Sequence, residues 1–485
     1  MVALMTLGST TLDEAAERQR ALVQKLSTFN RTDRGNAEAF ALLHGHRFRF
    51  DHTRGTWLLW SGRLWMKDET GAADKAAVDT ARHRLLASMQ IEDPEKRKAS
   101  VGWAFRSEGS YGRKAMLASA ETIEELATTA ANYNRDPYAL VVGNGHLDLR
   151  TAILRECRPE DLITRGTVVP YIPDATCPHW LDFLHQVFGG DEHLVGFVQR
   201  AVGYSLSGNT SEKCLFILWG NGANGKSVAL EILLALAGDH ACVTSFSTFL
   251  SQRYPGAPRN DIAGLYGARL VKAAESQHHA ELDEAVIKEI TGNDTVSARF
   301  LFHEAFEFVP EFHIWLATNH RPVIRGTDHA IWRRIRLIPF HQQFSGKKRD
   351  PKLREKLEAE LPGILSWAVT GFLAWQRIGL GNTPVVEQAT AIYRRESDDF
   401  AQFIRDRCFQ RPSDQTPARE LYEGYLDWCS EQSIKPVSNN LFDKGMGAHG
   451  VNKKRASKGT FYLGVVLKQI NNTAKAEKSD DRNRK

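Results

Sequence analysis

The pattern of apolar and polar residues changes twice along the chain. Up to about residue 175, short β-type runs such as residues 48–50 and 57–60 alternate with helical stretches, which predicts a mixed α+β unit. Between about residues 177 and 208, apolar side chains recur at helical spacing, as in Leu181, Leu184 and Phe188. From residue 214 to residue 340, apolar runs of strand length alternate with helical segments. This alternation is typical of an α/β domain.

A third pattern begins near residue 385, with a charged helix, and ends with a short helix and a β-ribbon. Ser438 is predicted to be the N-cap of that short helix. A chain of 485 residues is long enough for about three domains. We therefore expect an N-terminal α+β module over residues 1–175, an α/β domain over 176–380 and a winged-helix-like domain over 385–470. Residues 471–485 are expected to form a disordered tail.

Charge is concentrated at the C-terminal end of the chain. The net charge is +5, and residues 451–485 contain ten Lys/Arg against three Asp/Glu. A basic segment of this kind suits nucleic acid, although a solvated, disordered tail has the same composition. We prefer the solvated tail for residues 471–485.

Cysteine usage and hydropathy indicate the cellular compartment in which the protein works. The six cysteines are scattered and contain no Cys-x-x-Cys pair, which argues against a zinc ribbon or a disulfide framework. No apolar run approaches the roughly 18 residues that span a bilayer, and the N-terminus does not resemble a secretory signal. These patterns predict a cytoplasmic protein with no membrane partner.

The most specific motif occupies residues 220–227, Gly-Asn-Gly-Ala-Asn-Gly-Lys-Ser. An apolar run precedes it and a strong helix former follows, which is the context that a phosphate-binding P-loop requires. Glycines let backbone N–H groups approach the phosphates, and the helix N-terminus adds partial positive charge. Lys226 is expected to reach the β- and γ-phosphates of ATP, and the Ser227 hydroxyl to ligate Mg²⁺. The predicted ATP-binding residues are Gly220, Asn221, Gly222, Ala223, Asn224, Gly225, Lys226, Ser227 and Val228.

Two polar residues follow later strands. Glu275 ends a run that we expect to form the strand beside the P-loop strand, where a carboxylate could hold magnesium through water and polarise the attacking water. Asn319 ends another apolar run and could orient that water. Each residue alone could equally be a cap or loop residue, but their order favours catalysis.

Several arginines lie just before the last strand of the α/β region. An arginine in this position could reach the ATP site of a neighbouring subunit and stabilise the transferring phosphoryl group. We favour Arg334 for this role, with Arg333 as a second catalytic candidate. For Arg336 we expect a structural ion pair with a carboxylate.

These motifs resemble superfamily III helicases, in the group of phage and plasmid primase-helicases related to the poxvirus primase-helicase. The P-loop, the acidic strand, the extra motif at residues 282–299 and the Asn-ended strand occur in the family's order within about a hundred residues. Segments 32–40, 145–150 and 203–208 resemble the module that precedes the motor, and residues 389–468 resemble the family's C-terminal region. One departure is Ser276-Gln277, where family members often carry a second acid.

The resemblance implies an AAA+-like helicase core and an ATP- and Mg²⁺-dependent motor of a mobile genetic element. It also implies a homo-oligomer, most simply a hexamer, that acts on single-stranded and forked DNA. The sequence has no Asp-x-Asp pair and no zinc spacing, so we expect a separate primase partner. The alternatives are an ATP-driven initiator or loader that melts an origin without processive unwinding, and a P-loop kinase.

Two basic regions are candidates for DNA contacts. Two β-type runs around His303-Glu304 predict a hairpin, and a basic ribbon with aromatic residues follows the helix at Ser438. An ordinary hairpin with a paired arginine, and a protein–protein adaptor with a solvated wing, remain open. The candidate DNA-binding residues are Lys288, Arg299, His303, Lys453, Lys454, Arg455 and Lys458.

Overall fold

The structure is a computed structural model of the 485-residue chain. It describes residues 2–251, 259–274, 280–301, 304–326, 329–346, 349–432, 434, 436–457 and 459–468. The tail expected at residues 471–485 lies outside the described residues. Within the described part, no helix is both long enough and apolar enough to cross a membrane.

The N-terminal part is mixed α and β, as predicted. Strands β1 to β4 form a sheet of order β3-β2-β1-β4, in which β4 is parallel to β1 and the other pairs are antiparallel. Helix α2 begins after Thr32, whose side chain accepts a hydrogen bond from the Gly35 amide. Phe40 and Phe48 pack in the core between sheet and helices. The elements are α1 (Val2–Thr28), α2 (Asp33–His44), β1 (Phe48–Asp51), β2 (Thr56–Trp60), β3 (Trp65–Lys67), α3 (Ala72–Ser88), α4 (Pro94–Glu108), α5 (Ser110–Ala120) and β4 (Ala127–Thr128).

A small antiparallel sheet and two helices lead into the α/β region. The sheet has order β5-β6-β7, and a tight turn at residues 143–144 joins its first two strands. The helices bury one face each, with Trp180 and Phe197 in the large central core. The elements are β5 (Ala139–Val142), β6 (Gly145–Asp148), β7 (Ile153–Arg155), α6 (Pro178–Phe188) and α7 (Glu192–Ser205).

The α/β region contains a five-stranded sheet of order β14-β8-β13-β10-β9, and all four pairings are parallel. The prediction of an α/β class with alternating strands and helices is confirmed. Because every strand points the same way, the carboxyl ends lie at one edge, where ligands bind in open sheets of this kind. The elements are β8 (Leu215–Trp219), α8 (Lys226–Ala237), β9 (Ala241–Ser245), α9 (Asn260–Ala263), β10 (Leu270–Ala274), α10 (Glu284–Ile290), β11 (Val296–Arg299), β12 (Ala305–Phe308), β13 (His313–Thr318), α11 (His329–Trp332) and β14 (Ile335–Pro339).

The sheet order corrects one expectation. Strand β10, which leads to Glu275, is not beside the P-loop strand β8, because β13 lies between them. Parallel crossovers can skip a position that a later strand fills, so adjacency along the chain does not fix adjacency in the sheet. The strand that borders the P-loop strand on this side is therefore the one that ends at Asn319.

The C-terminal part packs helices against a separate antiparallel sheet of order β15-β17-β16. Its core contains Phe403, Tyr425, Trp428 and Phe442. The helix predicted after Ser438 is present, although the serine side chain makes no capping hydrogen bond. Helices α12 (Leu353–Ala359) and α13 (Leu361–Ile378) follow β14 and pack in the large central core. The elements of the C-terminal part are α14 (Pro384–Glu396), α15 (Asp399–Arg407), β15 (Cys408–Pro417), α16 (Ala418–Glu431), α17 (Asn439–Ala448), β16 (Lys453–Ala456) and β17 (Gly459–Leu467).

Candidate nucleoside triphosphate site

The loop between β8 and α8 needs glycine for steric reasons. A Cβ atom on Gly220 would lie 2.1 Å from the carbonyl oxygen of Phe340. Gly225 has a φ of 92°, and a Cβ there would lie 2.9 Å from the Phe183 ring. Backbone in the left-handed region, and backbone packed this closely, excludes larger residues. The two glycines that bound the motif therefore set the path of the loop.

The segment that follows β14 holds the loop in place. The Asn224 amide donates to the carbonyl oxygen of Phe340 at 3.1 Å, and the Phe344 amide donates to the Ala223 carbonyl at 2.8 Å. Residues 340–344 thus support the P-loop, a role that no motif spacing in the sequence indicated.

Lys226 lies at the centre of the site. Its side chain is buried, and its Nζ donates to the Oδ1 atoms of Asn224 and Asn319, each at 3.0 Å, and to the Gly220 carbonyl. Burial lowers the pKa of the ammonium group from 10.5 to about 8. Ser227 follows on the first turn of α8 and is exposed to solvent. The structure thus brings Lys226 together with four other predicted residues, Gly220, Asn221, Asn224 and Asn319.

The positions of Asn319 and Glu275 follow from the sheet register. Thr318 pairs with Trp219, so the residues that come next, Asn319 and Gly220, leave the sheet side by side. Ala274, the last residue of β10, pairs with Ala317 one strand further away. Glu275 itself lies outside the described residues, so its role stays a prediction.

The arginines near β14 differ in exposure and in their partners. Arg334 is 7% exposed, and its guanidinium donates to the Thr291 hydroxyl at 3.0 Å and to the Ala330 carbonyl at 2.7 Å. A guanidinium held inside its own subunit is arranged as a structural group, which argues against Arg334 as the residue that reaches a neighbour. Arg333 is exposed. Arg336 donates to the carbonyls of Arg333 and Ile335, where we had expected a carboxylate partner.

Arg321 is a residue that the sequence did not single out. Its guanidinium lies 4.6 Å from the ring centre of Trp219 and 5.5 Å from that of Tyr393, and it forms an ion pair with Glu396. Trp219 immediately precedes the P-loop, whereas Tyr393 and Glu396 belong to α14. Arg321 therefore connects the edge of the sheet that carries the P-loop to the first helix of the C-terminal part.

The predicted hairpin exists as β11 and β12, which pair antiparallel. Arg299, at the end of β11, is exposed and pairs in register with Ala305. Lys288 lies on α10, half-buried, with its Nζ 3.7 Å from a carboxylate oxygen of Glu284. His303 lies outside the described residues. Of the three predicted hairpin cations, Arg299 is thus placed on the hairpin and Lys288 beside a carboxylate.

The predicted basic ribbon consists of β16 and β17. Lys454 and Arg455 are exposed on β16. The Lys453 ammonium donates to Asp443 at 2.6 Å and lies 5.4 Å from the centre of the Tyr462 ring. Lys458 lies outside the described residues. The ribbon therefore presents Lys454 and Arg455 to solvent, whereas Lys453 is held against α17.

Two protein-family models match the chain on either side of the parallel sheet. The model described as D5 N terminal like matches residues 37–189, and the one described as Poxvirus D5 protein-like matches residues 395–475. The chain therefore contains two D5-like segments, one on each side of the sheet. The resemblance on which the sequence analysis relied is thereby confirmed.

Similar proteins of large DNA viruses are named as helicases or primases. The D5-like chain is 28% identical to "Putative helicase L207/L206" of Acanthamoeba polyphaga mimivirus, over 61% of this chain and 33% of the relative. It is 28% identical to "Putative helicase 022R" of Frog virus 3, over 52% of this chain and 28% of the relative. It is 24% identical to "Putative primase C962R" of African swine fever virus, over 65% of this chain and 36% of the relative. The D5-like chain spans about a third of the length of these relatives.

A solved structure, the apo structure of the NrS-1 C terminal region (305-718), is similar to the D5-like chain with a TM-score of 0.45 and 9% identity. The similarity covers 88% of this chain and 98% of that structure.

Proposed function

We propose that this D5-like chain is an ATP-hydrolysing DNA helicase of superfamily III, which separates DNA strands during the replication of a mobile genetic element. One observation supports it above the others: the P-loop Lys226 meets Asn319 at the end of the neighbouring parallel strand. A phosphate-binding lysine and a polar group that can orient water then lie on the same edge of one sheet. The strand order, with β8 between β14 and β13, is our reason for assigning the core to the AAA+-like class.

In this proposal the γ-phosphate of ATP takes the place of the amide oxygens around the Lys226 ammonium. The loop amides and the N-terminus of α8 bind the remaining phosphate oxygens. Asn319 orients the attacking water, and Glu275 accepts its proton. Ser227 and Glu275 would hold Mg²⁺, which neutralises developing charge on the phosphates when it is bound. Within the described residues, no group of three or more His, Cys, Asp or Glu side chains is arranged to hold a metal ion by itself.

The proposal includes a ring, in which a neighbouring subunit supplies a cation to the far side of the phosphates. We assign that cation to Arg333 of the adjacent subunit, because Arg333 is exposed and Arg334 is buried. A guanidinium supplied in trans accelerates phosphoryl transfer by roughly 10³-fold or more. A closed ring of identical subunits, which we propose to be a hexamer, provides such a group at every interface.

DNA contacts are proposed for both basic regions. Arg299 on the hairpin would contact the phosphate backbone of the strand that the ring encircles, and Lys454 and Arg455 would recruit DNA to the C-terminal part. A separate primase would supply the primers.

Two other functions use the same ATP site. An initiator or loader would melt an origin without processive unwinding, and a P-loop kinase would phosphorylate a small molecule. The exposed cations of β16 favour the DNA-directed functions over the kinase. Stimulation of ATP hydrolysis by single-stranded DNA would exclude the kinase.

The test combines assembly and unwinding. The mass of the protein is measured with and without a non-hydrolysable ATP analogue, and unwinding is then measured on a forked duplex. We expect a ring with the analogue, and unwinding that Lys226→Ala abolishes. ATPase activity stimulated by DNA without any unwinding would support the initiator, and a monomer under all conditions would contradict the ring.

A further inference from the structure

A second polar cavity lies at the opposite edge of the parallel sheet from the P-loop. It has a volume of about 300 Å³, within the range of ligand sites, and lies between the N-terminal module and the base of the hairpin. Arg269 and His240 line it, and they immediately precede β10 and β9. These are the amino ends of the strands, whereas the P-loop follows the carboxyl end of β8. A strand of five residues is about 16 Å long, so the two sites are separate.

The cavity is rich in guanidinium groups. Arg54, Arg135, Arg165 and Arg269 line it, together with the carboxylates of Glu307 and Glu311. Arg165 donates to the carbonyls of Asp239 and Tyr266, and Arg269 donates to those of Leu206 and Asp136. Carbonyl partners orient a guanidinium but do not cancel its charge. Arg54 forms an ion pair with Asp51. The other three arginines outnumber the two glutamates, so the cavity keeps positive charge in a partly dry setting, where an anion is bound more strongly than in water.

His240 supplies an independent indication of a ligand. It is 4% exposed, and neither ring nitrogen makes a hydrogen bond of regular geometry among the described residues, although the backbone of Arg165 lies close to the ring. A buried polar group without a partner costs about 1–3 kcal/mol, so natural proteins rarely keep one without use. Burial, with Arg269 and Arg165 nearby, lowers the pKa of His240 well below its usual 6.5. The neutral ring can donate one hydrogen bond to an oxygen in the cavity.

An exposed aromatic ring completes the site. Tyr266 is 40% exposed, and its ring packs edge-on against Phe306 and Phe308 of the hairpin, with ring centres 5.6 and 5.4 Å apart. The edge contacts hold the ring while a part of it faces solvent beside the guanidinium groups. Stacking on an aromatic side chain is how proteins bind nucleic-acid bases without regard to sequence.

We propose that this cavity binds a nucleotide unit, with its phosphate on the arginines and its base on Tyr266. The nucleotide could come from two sources, a free nucleoside phosphate or a single DNA strand, which share this chemistry. The proposal does not depend on ATP hydrolysis at the P-loop.

The test measures binding in the full chain carrying Lys226→Ala, which removes the P-loop contribution. The probe is the 5′-phosphorylated thymidine dinucleotide, titrated by calorimetry beside inorganic pyrophosphate. We expect Arg135→Gln and Arg165→Gln each to weaken dinucleotide binding about 10-fold, because each removes a charged hydrogen bond. Tyr266→Leu should weaken binding of the dinucleotide and leave the affinity for pyrophosphate unchanged.

The matched control is Arg419→Gln, which makes the same charge change at a side chain that is 90% exposed on α16. If both cavity variants bind like this control, or if the probe does not bind at all, the proposal is wrong. Arg135 is exposed, so its substitution should not disturb folding. If Arg165→Gln fails to fold, Arg135→Gln therefore tests the proposal alone. Displacement of the probe by thymidine 5′-monophosphate identifies a free nucleotide, and displacement by a 20-residue oligothymidylate alone identifies a strand. If neither competitor displaces the probe, the proposal is wrong.

Discussion

The ammonium group of Lys226 lies 3.0 Å from the amide oxygen of Asn319, although 93 positions separate the two residues. The contact exists because β8 and β13 are parallel neighbours whose last residues, Trp219 and Thr318, pair in register. In the proposed function, nucleotide binding exchanges this amide oxygen for a phosphate oxygen. Asn319 would then be released beside the γ-phosphate, where it can act on the attacking water.

The first prediction separates binding from hydrolysis. Asn319→Ala should keep ATP affinity close to that of the wild type but lower turnover by about 100-fold or more, because it removes a group that acts in the transition state. Lys226→Ala should lose both. Affinity is measured with a fluorescent ATP analogue and turnover by phosphate release. Wild-type turnover in Asn319→Ala would contradict the assignment.

The second prediction concerns pH. Burial lowers the pKa of Lys226 to about 8, so the ammonium loses its proton as the pH rises through that value. The protonated form binds the phosphates, and ATP affinity should therefore be highest below pH 8 and fall between pH 8 and 9.5. Lys226→Gln serves as the control, since it should bind weakly with no such fall. An identical pH profile in both proteins would show that another group titrates.

Local motifs were readable from the sequence, whereas non-local placements were not. The P-loop is contiguous, so its strand, glycines, lysine and helix could be predicted from residues 214–238 alone. The insertion of β13 between β8 and β10 depends on pairing between distant segments, and the sheet order was therefore misjudged. The burial of Arg334 was not foreseen for the same reason, because its partner Thr291 lies 43 positions away. The cavity around His240 is built from several separated segments, and no single one carries a motif.

The third prediction distinguishes the two arginines before β14. Arg333→Ala should leave stability and ATP binding unchanged and lower turnover by roughly 10³-fold, because the exposed guanidinium would act on a neighbour's phosphate. Arg334→Ala should instead lower the melting temperature, since it leaves a buried hydrogen-bond network incomplete. The measurements are thermal unfolding and steady-state ATPase.

Subunit mixing then tests whether Arg333 acts in trans. Rings that combine Arg333→Ala with Lys226→Ala subunits contain interfaces with one intact P-loop and one intact arginine. Such mixtures should recover part of the ATPase activity. Mixed rings that form but never exceed either variant alone would exclude a trans role.

The fourth prediction concerns the packing of α7 against α13. A Cβ atom on Gly203 would lie 2.3 Å from the Ala368 carbonyl oxygen and the Phe372 amide nitrogen, so the helix backbones touch there. Gly203→Ala should lower the free energy of unfolding by about 1–3 kcal/mol, as overpacking does. Gly196→Ala on the same helix is the control. Its Cβ would meet only the Arg200 side chain, at 3.5 Å, so it should be neutral or stabilise by up to about 1 kcal/mol. Equal melting curves for the two variants would refute the close approach of the two helices.

The fifth prediction assigns different roles to the two basic regions. Side chains inside a ring act in every translocation step, so Arg299→Gln should reduce unwinding of a forked duplex far more than ATP hydrolysis. Side chains on the ribbon recruit DNA, so Lys454→Gln with Arg455→Gln should weaken affinity but preserve unwinding at saturating DNA. The salt dependence of affinity for single-stranded DNA should also become shallower, by about 0.7 in the log–log slope for each phosphate that the protein no longer neutralises. Lys453→Gln is the matched control on the ribbon. The Lys453 ammonium is already paired with Asp443, so this substitution should change the slope less. Loss of unwinding at saturating DNA in the ribbon variant, with unwinding retained in Arg299→Gln, would show that the ribbon and not the hairpin touches the moving strand.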